Sequence, residues 1–257
     1  MTSLLKPGQT LIFLGDHTSP DDLGYVSIIK DVLSRFHPKL QIRLISAGSR
    51  RQTASALSSQ ALTDIITSSK PDWLIVGIGL SDALREPIVA QALRNPGNSR
   101  TQREMDDAEN TFGPELRVRR ESRGPISDVG HEPEPQVDNV GTFEQGMTSA
   151  LKKFAAAGIN VAVLTTILAG TDPTDVINKV LKSYSKAIRV STQESGTLLI
   201  DIEKAYRDVL DRALNYKQSI ALASPIGEPN AQGQALLARS VLDAFGILPQ
   251  PGWRPFR

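Results

Sequence analysis

The stretch "TLIFLGDHTSPDD" carries an apolar run into Gly15 and Asp16 and places an imidazole, His17, at the next position. A strand-to-loop turn of this kind is where many α/β enzymes mount a nucleophile. Here the hydroxyls of Thr18 and Ser19 come only one and two residues later. Imidazole titrates near neutral pH and can move protons or ligate a metal, but it brings no oxygen nucleophile of its own. Further along, Arg50 and Arg51 in "AGSRRQT" follow Gly48, and guanidinium groups so placed suit a carboxylate, sulfate or phosphate. Asp82 follows Ser81 in "DWLIVGIGLSDA", and Glu228 sits in "SPIGEPNAQG". Asp16, His17, Asp82 and Glu228 together offer oxygen and nitrogen donors of the kind a divalent ion takes. Donor types without geometry assign no metal, and no cofactor is expected. The two other histidines are His37, in the helix-ending turn "RFHPKL", and His131, in a polar segment.

Composition bounds the chemistry. The 257 residues carry 29 basic and 28 acidic side chains, so no global field favours nucleic acid or an anionic membrane. The absence of cysteine excludes a disulfide framework, thiolate metal sites and cysteine nucleophiles. The start "MTSLLKPGQT" lacks the apolar core of a secretory signal, and no apolar run approaches membrane-spanning length. The expectation is a cytoplasmic protein with a small-molecule ligand or a protein partner, of undetermined oligomeric state.

The groups above need elements to hold them. Runs at 10–15, 40–48, 72–79, 160–167 and 197–202 are apolar at nearly every position, as strands buried on both faces of a parallel sheet are. Between them lie helical patterns. In the first, Val26, Ile29, Leu33 and Phe36 recur at three- and four-residue spacing, and others cover 53–68, 143–157, 173–194, 203–214 and 230–245. Gly158 and Gly196 read as helix C-terminal stops and Asn230 as an N-cap. Repeated strand–helix alternation predicts an α/β fold, a doubly wound parallel sheet of about five strands with right-handed crossovers. Ligands bind beyond the carboxyl ends of such strands. That points to Gly15–Ser19, Gly48–Gln52, Gly79–Leu84 and the loop after Ile167.

One stretch breaks the rhythm. Residues 94–138 hold a single aromatic, Phe112, and few aliphatics, and they mix arginines with Glu104, Asp106, Asp107, Glu109, Glu132 and Glu134. A connection of that length without an apolar period reads as a polar insertion, mobile or serving as a lid. The domain is therefore expected over 1–93 and 139–247. The tail 248–257, with Trp253 and Phe256, is expected to dock on the body or on a partner, since aromatic surface is costly to leave in water.

Four segments in order resemble the blocks of the SGNH/GDSL hydrolases, esterases and lipases with a three-layer, flavodoxin-like fold. "FLGDHTSPDDLGY" resembles the first block, Phe-(Phe/Leu)-Gly-Asp-Ser-Ile-Thr. "LISAGSRRQT" is similar to the second, Asn-x-Gly-x-Ser-Gly, and "PDWLIVGIGLSDA" to the third, Pro-Asp-x-Val-x-Ile-x-Gly-x-Asn-Asp. "SPIGEPNAQGQALLA" is similar to the last, Asp-Gly-Val-His-x-Asn-x-x-Gly. The resemblance implies a serine nucleophile, a histidine base, an orienting aspartate, and oxyanion donors from the serine N–H, a glycine N–H and an asparagine amide. On this chain the serine position falls on His17 and the asparagine position on Ser81. The aspartate position falls on Pro225 and the histidine position on Glu228, whereas Gly48, Asp82, Asn230 and Gly233 keep the family register.

The family implies that Asp16 and Asp82 brace loops as hydrogen-bond acceptors without a metal. It also implies that His17 faces Glu228, where a carboxylate would raise the imidazole pKa and fix one tautomer. Three readings follow. The first is a pseudo-hydrolase that binds a ligand or partner in a cleft formed by Asp16, His17, Thr18, Gly48, Arg50, Ser81, Asp82 and Glu228. The second is an active acyl or acetyl ester hydrolase using His17 and Glu228. The third is a metal- or anion-binding cleft.

Overall fold

The computed structural model describes residues 3–16, 24–47, 52–94, 139–218 and 220–247. The five apolar runs form strands β1 (Thr10–Gly15), β2 (Arg43–Ser46), β3 (Trp73–Gly77), β4 (Asn160–Leu164) and β5 (Leu198–Ile200). They make one sheet in the order β2-β1-β3-β4-β5, and every neighbouring pair is parallel. The central pair runs in register from Leu11 opposite Trp73 to Gly15 opposite Gly77. The predicted doubly wound parallel sheet is the observed one.

Alternation along the strands explains the layers. Ile12, Leu14, Leu74, Val76, Val161 and Val163 face one core, and Leu11, Phe13, Ile75, Ala162 and Leu164 face the other. Helices cover both faces. The first core takes α2 (Ala54–Leu57), α3 (Gln60–Ser69), α4 (Leu80–Arg85), α5 (Pro87–Arg94), α6 (Val140–Ala156) and α7 (Val176–Ser195). The second takes α1 (Tyr25–Phe36), α8 (Ile202–Asn215) and α9 (Ala231–Ala244). On α7 the stripe Ile177, Leu181, Tyr184 and Ile188 is buried at helical spacing, and on α6 Phe143, Met147, Leu151 and Phe154 meet it.

Differences from the sequence-level boundaries have local causes. The single helix expected over 53–68 is two, because Thr53 and Ser59 each cap a new start, accepting from the N–H groups of Ala56 and Leu62. β2 begins three residues later than expected, after a 3₁₀ turn at Pro38–Leu40 and a left-handed Gln41. β4 ends at Leu164, although the Thr165 N–H still donates to the Ile200 carbonyl of β5 at 3.1 Å. Thr165 Oγ1 accepts from the Glu203 N–H at 2.8 Å, and Thr166 Oγ1 donates to the Leu181 carbonyl at 2.9 Å. Helices α4 and α5 are additional to the elements expected from the sequence, short and separated only by Glu86 ahead of Pro87. Gly158 and Gly196 do end their helices, with φ of 79° and 67°.

Candidate functional site

Three backbone segments converge where β1 and β3 end, and two aspartates tie them together. The Asp16 carboxylate accepts a hydrogen bond of 2.7 Å from the Ser81 N–H, and its own N–H donates to the Gly77 carbonyl at 3.1 Å. Asp82 Oδ1 accepts from the Ala54 N–H at 3.1 Å, holding the start of α2, which follows the second block, against the third. Asp16, Ser81 and Asp82 are all buried. Carboxylates that accept from buried amides spare those groups the cost of an unmet hydrogen bond, about 1–3 kcal/mol each. Gly79 makes the turn between β3 and α4 with φ 123°, a conformation side-chain-bearing residues rarely adopt, and it packs against Thr166 and Phe143.

The last block is carried to the same edge by a tight turn. The Ser224 N–H donates to the Glu228 carbonyl at 2.8 Å, and the Gly227 N–H donates to the Ser224 carbonyl at 2.8 Å. The Glu228 N–H donates to Ser224 Oγ at 3.0 Å. Gly227, at φ 82°, lies against the Leu80 side chain, one residue before Ser81. The same Ser224 carbonyl also accepts from the Gly170 N–H at 2.9 Å, so the loop after β4 is joined to this turn. Asn230 caps α9, accepting from the Gly233 N–H at 2.9 Å and donating to the Ala221 carbonyl. Asp82, Asn230 and Gly233, expected from the resemblance to keep the family register, all take part in these bracing hydrogen bonds.

The replaced positions are distributed differently. Ser81 is buried with its N–H on Asp16. Pro225 is buried in the turn and offers neither an N–H nor a carboxylate. Glu228 is exposed, and its carboxylate has no hydrogen-bond partner among the described residues. His17, Thr18, Gly48 and Arg50 lie outside the described residues, as do His131, nearly all of the 94–138 insertion and the 248–257 tail. His37 caps α1, and its carbonyl accepts from the N–H of Leu40. The Leu40 carbonyl in turn accepts from Gly8, which precedes β1, so His37 sits at the amino edge of the sheet, away from the cleft. Among the described residues no group of three or more histidine, aspartate and glutamate side chains is placed to hold a metal. No helix there is long and apolar enough to cross a membrane.

Tyr25 lies beneath this edge, wholly buried. Burial, and then the negative charge of Asp16, push its phenol well above the ordinary value, so it stays protonated at any physiological pH.

Two supporting arrangements carry weak sequence signals. Asn178 sits on the apolar stripe of α7, where a polar residue is out of pattern. Its amide braces the loop after β4, accepting from the Ala169 N–H at 2.8 Å and donating to the carbonyls of Ala169 and Asp172, each at 2.7 Å. At the end of β5, Arg189 donates to Asp201 at 2.8 and 3.1 Å and to the buried Glu203 at 2.8 Å, while Arg207 holds the other Glu203 oxygen at 2.7 Å. Burial alone would raise the Asp201 pKa, but the hydrogen bond from Arg189 and the Lys204 N–H outweigh it and hold the carboxyl below its ordinary value. The hydrogen bond to Asp201 raises the Arg189 value in return.

No family model matches the sequence, and no curated protein is similar to it. Solved structures are similar over almost the whole chain. One is LAE5, an alpha/beta hydrolase enzyme from the metagenome of Lake Arreo, Spain, with a TM-score of 0.68 and 19% identity, covering 95% of this chain and 98% of that one. Another is Axe2, an acetylxylan esterase from Geobacillus stearothermophilus, with a TM-score of 0.65 and 20% identity, covering 94% and 96%. Structures of catalytic mutants of Axe2 replace a serine, an aspartate and a histidine, the last two being three residues apart in that chain. At such low identity the likeness speaks to the fold, and it agrees with the block order read from the sequence. This chain shares with LAE5 and Axe2 a three-layer α/β fold, a five-stranded parallel sheet between two layers of helices.

Proposed function

We propose that this protein is an esterase-like member of the fold whose cleft binds an ester- or acyl-bearing ligand without forming a serine acyl-enzyme. The observation that carries the reading is the turn at Ser224–Glu228. At this turn Asn230 caps α9 and Gly227 is seated on Leu80, which supports reading it as the counterpart of the family's last block. Yet the two positions that the resemblance aligns with the orienter and the base, three residues apart, hold a buried proline and an exposed glutamate. In Axe2 an aspartate and a histidine with that spacing are catalytic. A serine hydroxyl without a base is a weak nucleophile, and loss of nucleophile, base and orienter together leaves only what binding and oxyanion donors supply.

A second reading is favoured by the free Glu228 carboxylate on a turn that touches Leu80, next to Ser81. A carboxylate there is available to pair with His17, and such a pair would activate water on an acyl or acetyl ester without a covalent intermediate. Turnover of short-chain aryl esters, run beside a melting-temperature panel that includes acetylated xylo-oligosaccharides, separates the two. A melting shift without turnover supports the binding protein. Turnover abolished by Glu228→Gln supports the water-activating hydrolase.

A further inference from the structure

The edge of the sheet opposite the cleft carries an open groove of about 600 Å³. It runs across the amino ends of β3, β4 and β5, between Trp73, Ile159, Val161 and Leu198, with Gly158 and Gly196 on its walls. A side-chain carbon built on either glycine would meet nothing within 4 Å, so both walls face open space. Its volume falls in the range of about 300–1,000 Å³ found for ligand pockets. Position argues against a substrate site: ligands of such sheets bind beyond the carboxyl ends, and this groove lies at the other edge.

The chain itself supplies an occupant. Helix α9 ends beside the groove, where the Phe245 ring meets the Trp73 ring edge-on with centroids 4.8 Å apart. Ile247, buried and donating its N–H to the Leu242 carbonyl, is the last described residue before the tail. Ten residues, "LPQPGWRPFR", follow. Trp253 is six residues beyond Ile247, a reach of about 20 Å when extended, which spans a groove that begins at the ring Phe245 touches. Its three prolines reduce the entropy lost on ordering the segment. Its two aromatic side chains are groups that bury about 150–250 Å² each. The tail carries two arginines and no acidic residue, and the exposed Asp72, one residue before Trp73, offers the opposite charge beside the groove.

We infer that residues 248–257 bind back into the groove at the amino ends of β3–β5, with an aromatic side chain against Trp73. The groove is separate from the carboxyl ends of the strands, where the candidate site residues Asp16, Ser81 and Asp82 lie. This inference is independent of the function proposed for the cleft.

The chain contains two tryptophans, Trp73 and Trp253, so full-length protein labelled with 5-fluorotryptophan gives one fluorine resonance for each, assigned with Trp253→Phe. In the wild type, the Trp253 resonance is expected away from that of the free decapeptide. Thr197→Arg, which puts a charged side chain into the groove, is expected to return the Trp253 resonance to the free-peptide position. Deletion of 248–257 is expected to shift the Trp73 resonance and raise its exposure to solvent. A Trp253 resonance identical to that of the peptide overturns the inference. So does a displaced Trp253 resonance that Thr197→Arg leaves unchanged, since the tail would then be bound elsewhere. Dependence of the displacement on protein concentration overturns it too, by assigning the tail to a second copy. Ester turnover and cleft-ligand melting shifts should be the same with and without the tail.

Discussion

Asp16 and Ser81, 65 positions apart in the chain, are joined by a hydrogen bond of 2.7 Å from the Ser81 N–H to the Asp16 carboxylate. The bond fixes the residue that follows β1 to the start of α4. With the Asp82 to Ala54 bond, it holds three of the four blocks in one frame. Asp16→Ala is expected to destabilise the fold by about 1–3 kcal/mol in denaturant melts, because it leaves the buried Ser81 amide without its acceptor. Asp16→Asn, whose amide oxygen still accepts, should cost less. If these carboxylates served a divalent ion instead, adding the ion would raise the melting temperature of the wild type, and no rise is expected.

The existence of five strands, their parallel sheet and the helix caps at Asn230 and Gly196 were legible because they rest on local physics: apolar runs, N-cap oxygens and left-handed stops. What escaped was set by tertiary contacts. Thr165 and Thr166 look like two more β-branched strand residues; the Thr165 N–H still bonds to β5, and the partners that both hydroxyls find across the fold are announced by no local pattern. Ser59 splits a continuous helical pattern that its neighbours' periodicity conceals. Block register directs attention to Ser81, Pro225 and Glu228 as candidate site positions. The division of labour, with Ser81 buried against Asp16 and Glu228 open to solvent, depends on packing that no motif encodes.

The Arg189–Asp201 pair predicts a specific acid response. The folded-state pKa of Asp201 is depressed, so its contribution to stability is fully present above the ordinary carboxylate value of about 4. That contribution is lost as pH falls from there through the folded value. Asp201→Asn should cost about 1–3 kcal/mol at pH 7. It should also flatten stability against pH below about 4, measured by urea unfolding across that range.

Gly233 is held by close packing at the start of α9. A side-chain carbon there would collide with the Leu222 carbonyl and approach the Tyr206 hydroxyl to 2.6 Å. Gly233→Ala is therefore expected to destabilise by about 1–3 kcal/mol, read by thermal or chemical melting, although alanine is the better helix former.

Restoring the hydroxyl alone should not restore esterase chemistry. His17→Ser supplies an oxygen while Pro225 and Glu228 remain where an orienter and a base would stand, so aryl-ester turnover is expected to stay at background. The combination of His17→Ser, Pro225→Asp and Glu228→His is the variant in which turnover should rise, with the frame held by Asp16, Asp82 and Asn230 already in place.

The central claim is that the cleft holds no activated serine or threonine. Incubating the wild-type protein with a fluorophosphonate and weighing it intact tests this most directly, because these reagents phosphonylate activated hydroxyls stoichiometrically. An unmodified mass is expected after prolonged exposure. A single adduct per chain, mapped to Ser81, Thr18 or Ser19, would contradict it.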